Sequence, residues 1–226
     1  ARAYWRDRTV GAVPRPHPDH PDRRVLWLRH ADNHDPDGAT WNFPLGWRGH
    51  MQIRIRLETG AAGAIIALGD RMFEPTDDNG DDLAMFRVAL TAASQESDDE
   101  EAGLAMPPGI WHDLALTWNL DEGGAVVTVG GQPAGELPLR HRTLNGLCYL
   151  RLRSAATEPD RAGVLIESVR VRVTQPETPP APLAARQAMQ TEFFELMSAR
   201  RNRTTSGQAP AAPERPADPR LPAPQG

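Results

Sequence analysis

Alternation of apolar and polar side chains is cleanest from Met51 to Leu57, where Met51, Ile53, Ile55 and Leu57 interleave with Gln52, Arg54 and Arg56. A period of two over such a run marks a strand with one face on a core and the other toward solvent. Runs of similar character recur as VLWLRH, ATWNFP, GAIIALGD, LAMFRVALTA, WHDLALTW, AVVTV, CYLRLRS and AGVLIESVRVRV, nearly all bounded by Gly, Pro, Asp or Asn. About nine strands of this length predict an all-β fold, a two-sheet antiparallel sandwich, because a single sheet of that size leaves an apolar face uncovered. Parity within the runs assigns the core to Leu26, Leu28, Ile53, Ile55, Phe86, Val88, Leu114, Leu116, Trp118, Val129, Leu150, Leu152, Val169 and Val171.

The flanks read differently. Residues 1–24 carry four prolines and little periodicity, which suits a lead-in or linker, and the sandwich is expected over 25–175. Two acidic patches, EPTDDNGDD from Glu74 and QESDDEE from Gln95, lack an apolar period and are expected as exposed rim loops. TQPETPPAP then ends the sandwich, since prolines at this density cannot join a sheet ladder. Over 176–201 a proline spacer leads into an amphipathic helix with Met189, Phe193, Leu196 and Met197 on one face, and 202–226 has the composition of a disordered tail. Isolated helices of this length are marginal in water, so that face is expected to cover something.

From Gly109 the chain reads GIWHDLALTWNLDEGGAVVTVGGQPAGELPL. Leu114, Leu116 and Trp118 share a face, LDEGG reverses the chain, Val127 and Val129 return to the core, and GGQ turns it again. A tryptophan-led strand, a tight turn, a short strand ending in Gly-Gly and a further strand closely resemble the laminin-G-like or concanavalin-A-like jelly roll, with its W-x-x-L-A-L-x-W pattern. AGVLIESVRVRV, from Ala162 to Val173, is similar to the closing strand of that family, and together the matching runs cover roughly Val25 to Val173. The resemblance implies a fold that serves lectins, glycanases, lyases and passive spacers alike. Relatives often carry a structural calcium held by rim carboxylates. Here Gly130 and Glu167 stand where many of them have aspartate.

Composition narrows the classes. Pro 22 and Gly 19, with only 6% aromatic residues, favour many short elements joined by turns. Every basic residue is arginine, the better grip on carboxylates and sulfates, and a net charge of -5 argues against nucleic acid as a partner. Cys148 is the only cysteine, which excludes an internal disulfide and a thiolate metal cluster. GAAGAIIALG, from Gly60 to Gly69, is too short to span a membrane. Without an initiator methionine or a basic start followed by an apolar stretch, the chain reads as a mature form or a piece of something larger. Resemblance to modules of carbohydrate-active enzymes implies a place outside the cell or in the periplasm.

Four sets of residues invite chemistry. Glu96, Asp98 and Glu100 mimic the E-x-D-x-E of retaining laminarinase-type glucanases, which need two carboxylates about 5 Å apart on a rigid cleft strand. The intervening Ser97 and Asp99 cannot fill a core behind such a strand, so the patch reads as a solvated loop and no catalytic residue is assigned. Asp77, Asn79 and Asp81 have an i, i+2, i+4 spacing that either gathers oxygen ligands round a calcium or marks a simple acidic turn, and the resemblance implies Glu167, at the closing-strand position, as a further ligand. The EF-hand pattern fails, because Asp82 and Val88 stand where it needs glycine and glutamate. His17, His20, His30 and His34 sit among prolines that deny them helical geometry, and read as solvated loop residues.

The outward strand positions are the fourth set. Parity turns Trp27, Arg29, Gln52, Arg54, Arg56, Arg87, Tyr149, Arg151, Arg153, Arg170 and Arg172 away from the core. Of these Trp27, Arg54, Arg56, Tyr149, Arg151 and Arg153 form the candidate carbohydrate face, suited to an anionic polysaccharide through stacking and forked hydrogen bonds. The favoured expectation is a non-catalytic accessory domain that binds a glycan or positions a carbohydrate-active catalytic domain of a parent protein. The alternatives are a glycosidase or polysaccharide lyase, which would need a carboxylate pair or a Tyr/His pair in one cleft, and a purely structural interaction module.

Overall fold

The structure is a computed structural model and describes residues 12–31, 38–70, 80–92, 103–143, 145–176 and 183–206. It falls into two compact units, residues 1–180 and 181–226. In the first, the described residues form two facing sheets. The larger has seven strands in the order β1 (Ala12–Pro16), β2 (Arg24–Leu28), β12 (Val164–Gln175), β4 (Arg48–Leu57), β8 (His112–Asn119), β9 (Gly124–Val129) and β10 (Gln132–Pro138). The smaller has five: β3 (Gly38–Gly46), β11 (Leu147–Ser154), β5 (Ala64–Gly69), β6 (Phe86–Ala92) and β7 (Leu104–Met106). All neighbours are antiparallel except β6 and β7.

Every residue assigned to the core by parity is buried in it or packed partly buried against it; Leu26, Val129, Val169 and Val171 belong to the second group. Two short strands were not expected. β1 lies inside the stretch whose prolines suggested a linker. Its Pro14 and Pro16 are tolerated because β1 is an edge strand, where a residue without an N–H need break no ladder. β7, three residues long, pairs in parallel with β6.

The Gly109–Leu139 stretch forms the β8–β9–β10 meander, with Leu114 opposite Val129, Leu116 opposite Val127 and Trp118 opposite Ala125. Gly130 and Gly131, at φ of 57° and 79°, make the two-residue turn into β10. Successive positive φ values are what the twist of a hairpin selects, so glycine at 130 answers a backbone demand. Trp118 is fully buried and lies against Gly49, where an added Cβ would stand 2.2 Å from the indole.

β12 changes parity partway. Ile166 and Val169 both face the core, an odd spacing that the ladder absorbs as a bulge: Ile166 pairs with Ile55 and Ser168 with Arg54, leaving Glu167 as the extra residue. That bulge places Glu167 among outward-facing side chains.

The second unit contains α1 (Leu183–Ser206), which runs five residues beyond the 201 expected for its end. Ala185, Met189, Phe193, Leu196 and Met197 are half-buried along one stripe, while Phe194 beside them is 59% exposed. No helix is long and apolar enough to cross a membrane among the described residues. The expected tail from 207 onward lies outside them.

Candidate functional site

The residues expected to form one carbohydrate face divide between the two outer faces of the sandwich. Trp27, Arg54 and Arg56 belong to β2 and β4 of the larger sheet, whereas Tyr149, Arg151 and Arg153 belong to β11 of the smaller. Strand parity separates inward from outward but says nothing of which sheet a strand joins. The two trios are therefore not one site.

On the smaller sheet, Arg151 is 1% exposed, contrary to its expected place on an open surface. The cause is the short 3-10 helix at Gly80–Leu83, whose Asp81 lies over β11 with one carboxylate oxygen 3.6 Å from Arg151 Nη1 and the other 3.1 Å from Arg153 Nε. Arg140 donates to the Asp81 carbonyl at 3.0 Å, tying the turn to the segment before β11. Nearby, Thr143 donates to the buried Asp70 at 2.7 Å and Asn145 donates at 3.3 Å. These contacts make that outer face a packed polar layer.

The proposed calcium ligands are likewise dispersed. Asp81 faces two guanidiniums, and Glu167 sits on the opposite outer face with Arg23 Nη2 at 2.6 Å and Arg54 Nε at 2.7 Å. A cation at either carboxylate would have to displace arginines already there, so these donors do not fit a shared ion. Asp77 and Asn79 lie outside the described residues, as do Glu96, Asp98, Glu100 and His34. Among the described residues no group of three His, Cys, Asp or Glu side chains is placed to hold a metal.

The larger sheet carries the richer surface, and the hairpin turn between β1 and β2 builds one end of it. His17 N donates to the Arg23 carbonyl at 2.9 Å and Arg23 N to that of His20, also at 2.9 Å, closing the turn. His17 is 3% exposed, so the solvated-loop reading fails for it, and for His30, also buried. Its Nδ1 accepts the N–H groups of Asp19 and His20 at 3.0 and 3.2 Å, which leaves its hydrogen on Nε2, 3.8 Å from Glu167. Trp111 stacks on the imidazole at 4.9 Å between ring centres and donates to Asp19 at 2.8 Å. Sequence spacing could not have shown this cluster, because its members come from a turn and three separate strands.

Charge in this cluster is internally matched. Arg54 bridges Glu167 and Asp113, the latter at 2.8 Å, and Arg56 pairs with Glu58 at 2.8 Å. The Asp113 hydrogen bond raises the Arg54 pKa above its already high value; burial opposes this, and Glu167 adds to the rise. The two indoles are also occupied. Arg15 and Arg29 lie 4.9 and 4.3 Å from the Trp27 ring centre, and Arg54 lies 5.9 Å from that of Trp111. Carboxylates held by guanidiniums are poorly placed to move protons, and ring faces covered by cations offer little to stack on.

Beyond the cluster, the middle of the same face is open. Arg172 of β12 stands beside His50 of β4 and then Thr117 of β8, and Arg170 stands beside Gln52 and then Ala115. His50 Nδ1 and Thr117 Oγ1 are 2.9 Å apart. Arg170 and Arg172 are exposed and, among the described residues, make no ion pair or hydrogen bond through their guanidiniums. Both were recognised as outward-facing but left out of the expected contact set. Ion pairs and deeper burial set Arg54 and Arg56 apart from Arg170 and Arg172.

A cleft of about 290 Å³ opens on one side of the sandwich, where β2 and β12 diverge. Leu26, Ala39, Trp41, Leu150, Leu152 and Val169 line its apolar part, and Arg24 and Ser168 stand among its polar lining.

Comparison with known proteins gives limited matches. The profile of the CAF17 C-terminal beta-barrel domain matches residues 113–181, under a third of the chain. That segment spans most of β8 through β12 but omits β4, the strand that joins β8 to β12, so it is not a closed unit of this fold. No curated protein matches the sequence. Among solved structures, a sialidase is 12% identical with a TM-score of 0.47 over 66% of this chain, which spans only 15% of that protein. Sheep galectin-11 in complex with glycerol is 14% identical with a TM-score of 0.43, covering 62% of this chain and all of its own. An alginate lyase of polysaccharide lyase family 7 is 11% identical with a TM-score of 0.43, over 70% of this chain and 81% of its own. These likenesses are remote and say nothing of this chain's ligand.

Proposed function

We propose that the sandwich is a non-catalytic accessory module that binds an anionic polysaccharide along the outer face of its larger sheet. The observation that carries this reading is the pair Arg170 and Arg172, two exposed guanidiniums on one strand, beside Gln52 and His50, without ion-pair partners among the described residues. Residues two apart on a strand lie about 7 Å from each other, within reach of successive charges along an extended acidic sugar chain. Recognition would rest on charge and forked hydrogen bonds, since the neighbouring indoles already carry cations. In this reading the module holds a carbohydrate-active catalytic domain of a parent protein near its substrate, outside the cell or in the periplasm.

Affinity electrophoresis through alginate, pectate and heparin, with laminarin as the neutral control, tests the proposal. Retardation by at least one anionic polymer is expected, with none by laminarin. Replacing Arg170 and Arg172 together by Gln should weaken binding about tenfold or more and flatten its salt dependence. Equal binding by the double variant, or no retardation by any anionic polymer, would reject this function.

A further inference from the structure

β12 is paired along its whole length on one side only. β4 follows it from Val164 to Gln175, but β2 pairs with it only at Val164, Leu165 and Ile166. From Ser168 onward the second edge has no strand neighbour among the described residues. Burial records the change: Val164, Leu165 and Ile166 are fully buried, whereas Val169, Val171 and Val173 are only half-buried. The cleft between Leu26, Trp41, Leu150 and Val169 lies beside this edge. An open edge, an apolar recess beneath it and inward side chains left half-covered have one common remedy, which is another strand.

We infer that the Ser168–Thr174 edge of β12 is a docking site for an extended acidic peptide, which adds to the larger sheet as a further strand. Main-chain hydrogen bonds would supply affinity, and side chains alternating between recess and solvent would supply selectivity. The recess takes an apolar side chain. The charge of the outward positions is set by Arg170 and Arg172, which have no ion-pair partner among the described residues; Arg24, of the same parity as Leu26, brings a further guanidinium without an ion-pair partner among them to the rim of the recess. A second copy is disfavoured by the same charges: antiparallel self-pairing centred on Val171 would set Arg170 of one chain opposite Arg172 of the other, and like charges directly opposite destabilise a ladder. This inference shares Arg170 and Arg172 with the polysaccharide reading but rests on the backbone edge and recess, so new amide protection between Ser168 and Thr174 tells the two apart.

The test uses the full chain and a blocked, glycine-flanked decapeptide that alternates valine with glutamate, alongside its valine–lysine counterpart. Saturable binding of the glutamate peptide is expected. It should be accompanied by slowed hydrogen exchange at alternate backbone amides between Ser168 and Thr174. Converting Arg170→Glu and Arg172→Glu together should cut that affinity at least about tenfold and transfer binding to the lysine peptide. Gained lysine-peptide binding also reports that the variant is folded. Three results would overturn the inference: no binding, binding without new amide protection, which signifies an anion contact at the arginines alone, or protection of these amides already present in the free chain. In the last case, dilution tells a second copy from a segment of the same chain.

Discussion

Gly49 and Trp118 show how one position limits another across the larger sheet. The two are direct partners in the β4–β8 ladder, and the indole occupies the space that any side chain at 49 would need. Gly49→Ala must push Trp118 into Phe43, 6.1 Å away ring to ring, or bend β4. The expected cost is about 1–3 kcal/mol, read as a lower urea midpoint with an unchanged slope. A different constraint holds at Asp121, whose carboxyl is kept below the ordinary aspartate range by hydrogen bonds from Arg48, at 2.5 and 3.1 Å, and from Trp47, at 2.8 Å. A depressed folded-state pKa contributes stability that is present above the usual aspartate pKa and is lost as pH falls through the lowered value. Asp121→Asn should therefore flatten the acid limb of the stability profile and leave its shape at neutral pH unchanged, as followed by thermal melts from pH 2 to 7. Trp111 and Trp118 were legible only in part. Seven residues apart, they fall on opposite faces, and Trp118 was readable as core from its strand. Trp111 precedes the strand, and its contact with His17 depends on a turn far away in sequence.

Among elements, the β1–β2 hairpin turn and the β12 bulge depend on one another. Glu167 projects from the bulge to meet Arg23 and His17 of the turn and Arg54 of β4, so one carboxylate fastens the turn to the sheet. Glu167→Gln should release it. Faster amide exchange is expected at His17 and Arg23, whose N–H groups close the turn, with β4 and β8 unaffected. Unchanged exchange at those two amides would show that the turn holds without Glu167. The odd spacing of Ile166 and Val169 was visible in the sequence, but a break in alternation can end a strand or bulge it, and only pairing with β4 decides. The lead-in was harder still, since its prolines exclude a central strand and are compatible with both an edge strand and a linker. Arg151 was misjudged for a related reason: parity reports a direction, and burial on an outer face depends on whether another segment, here Gly80–Leu83, lies over it.

At the scale of the whole molecule, the sandwich was readable because its cause is local: alternation, turn residues and run length repeat along the chain. The candidate surface was not, because it requires knowing which strands share a sheet and which charges are already satisfied. Two sheets divide the outward arginines, and ion pairs then withdraw Arg54 and Arg56 from the set able to meet a ligand. Arg170 and Arg172 remain, on a stretch of β12 that has a strand neighbour on one side only among the described residues. The account therefore makes a claim about place as well as affinity, and amide chemical-shift mapping with short alginate oligosaccharides tests it most directly. Shifts concentrated at His50, Gln52, Thr117, Arg170 and Arg172 are the predicted result. Shifts centred on β11, around Tyr149 and Arg153, or spread evenly over the exposed arginines, would contradict it.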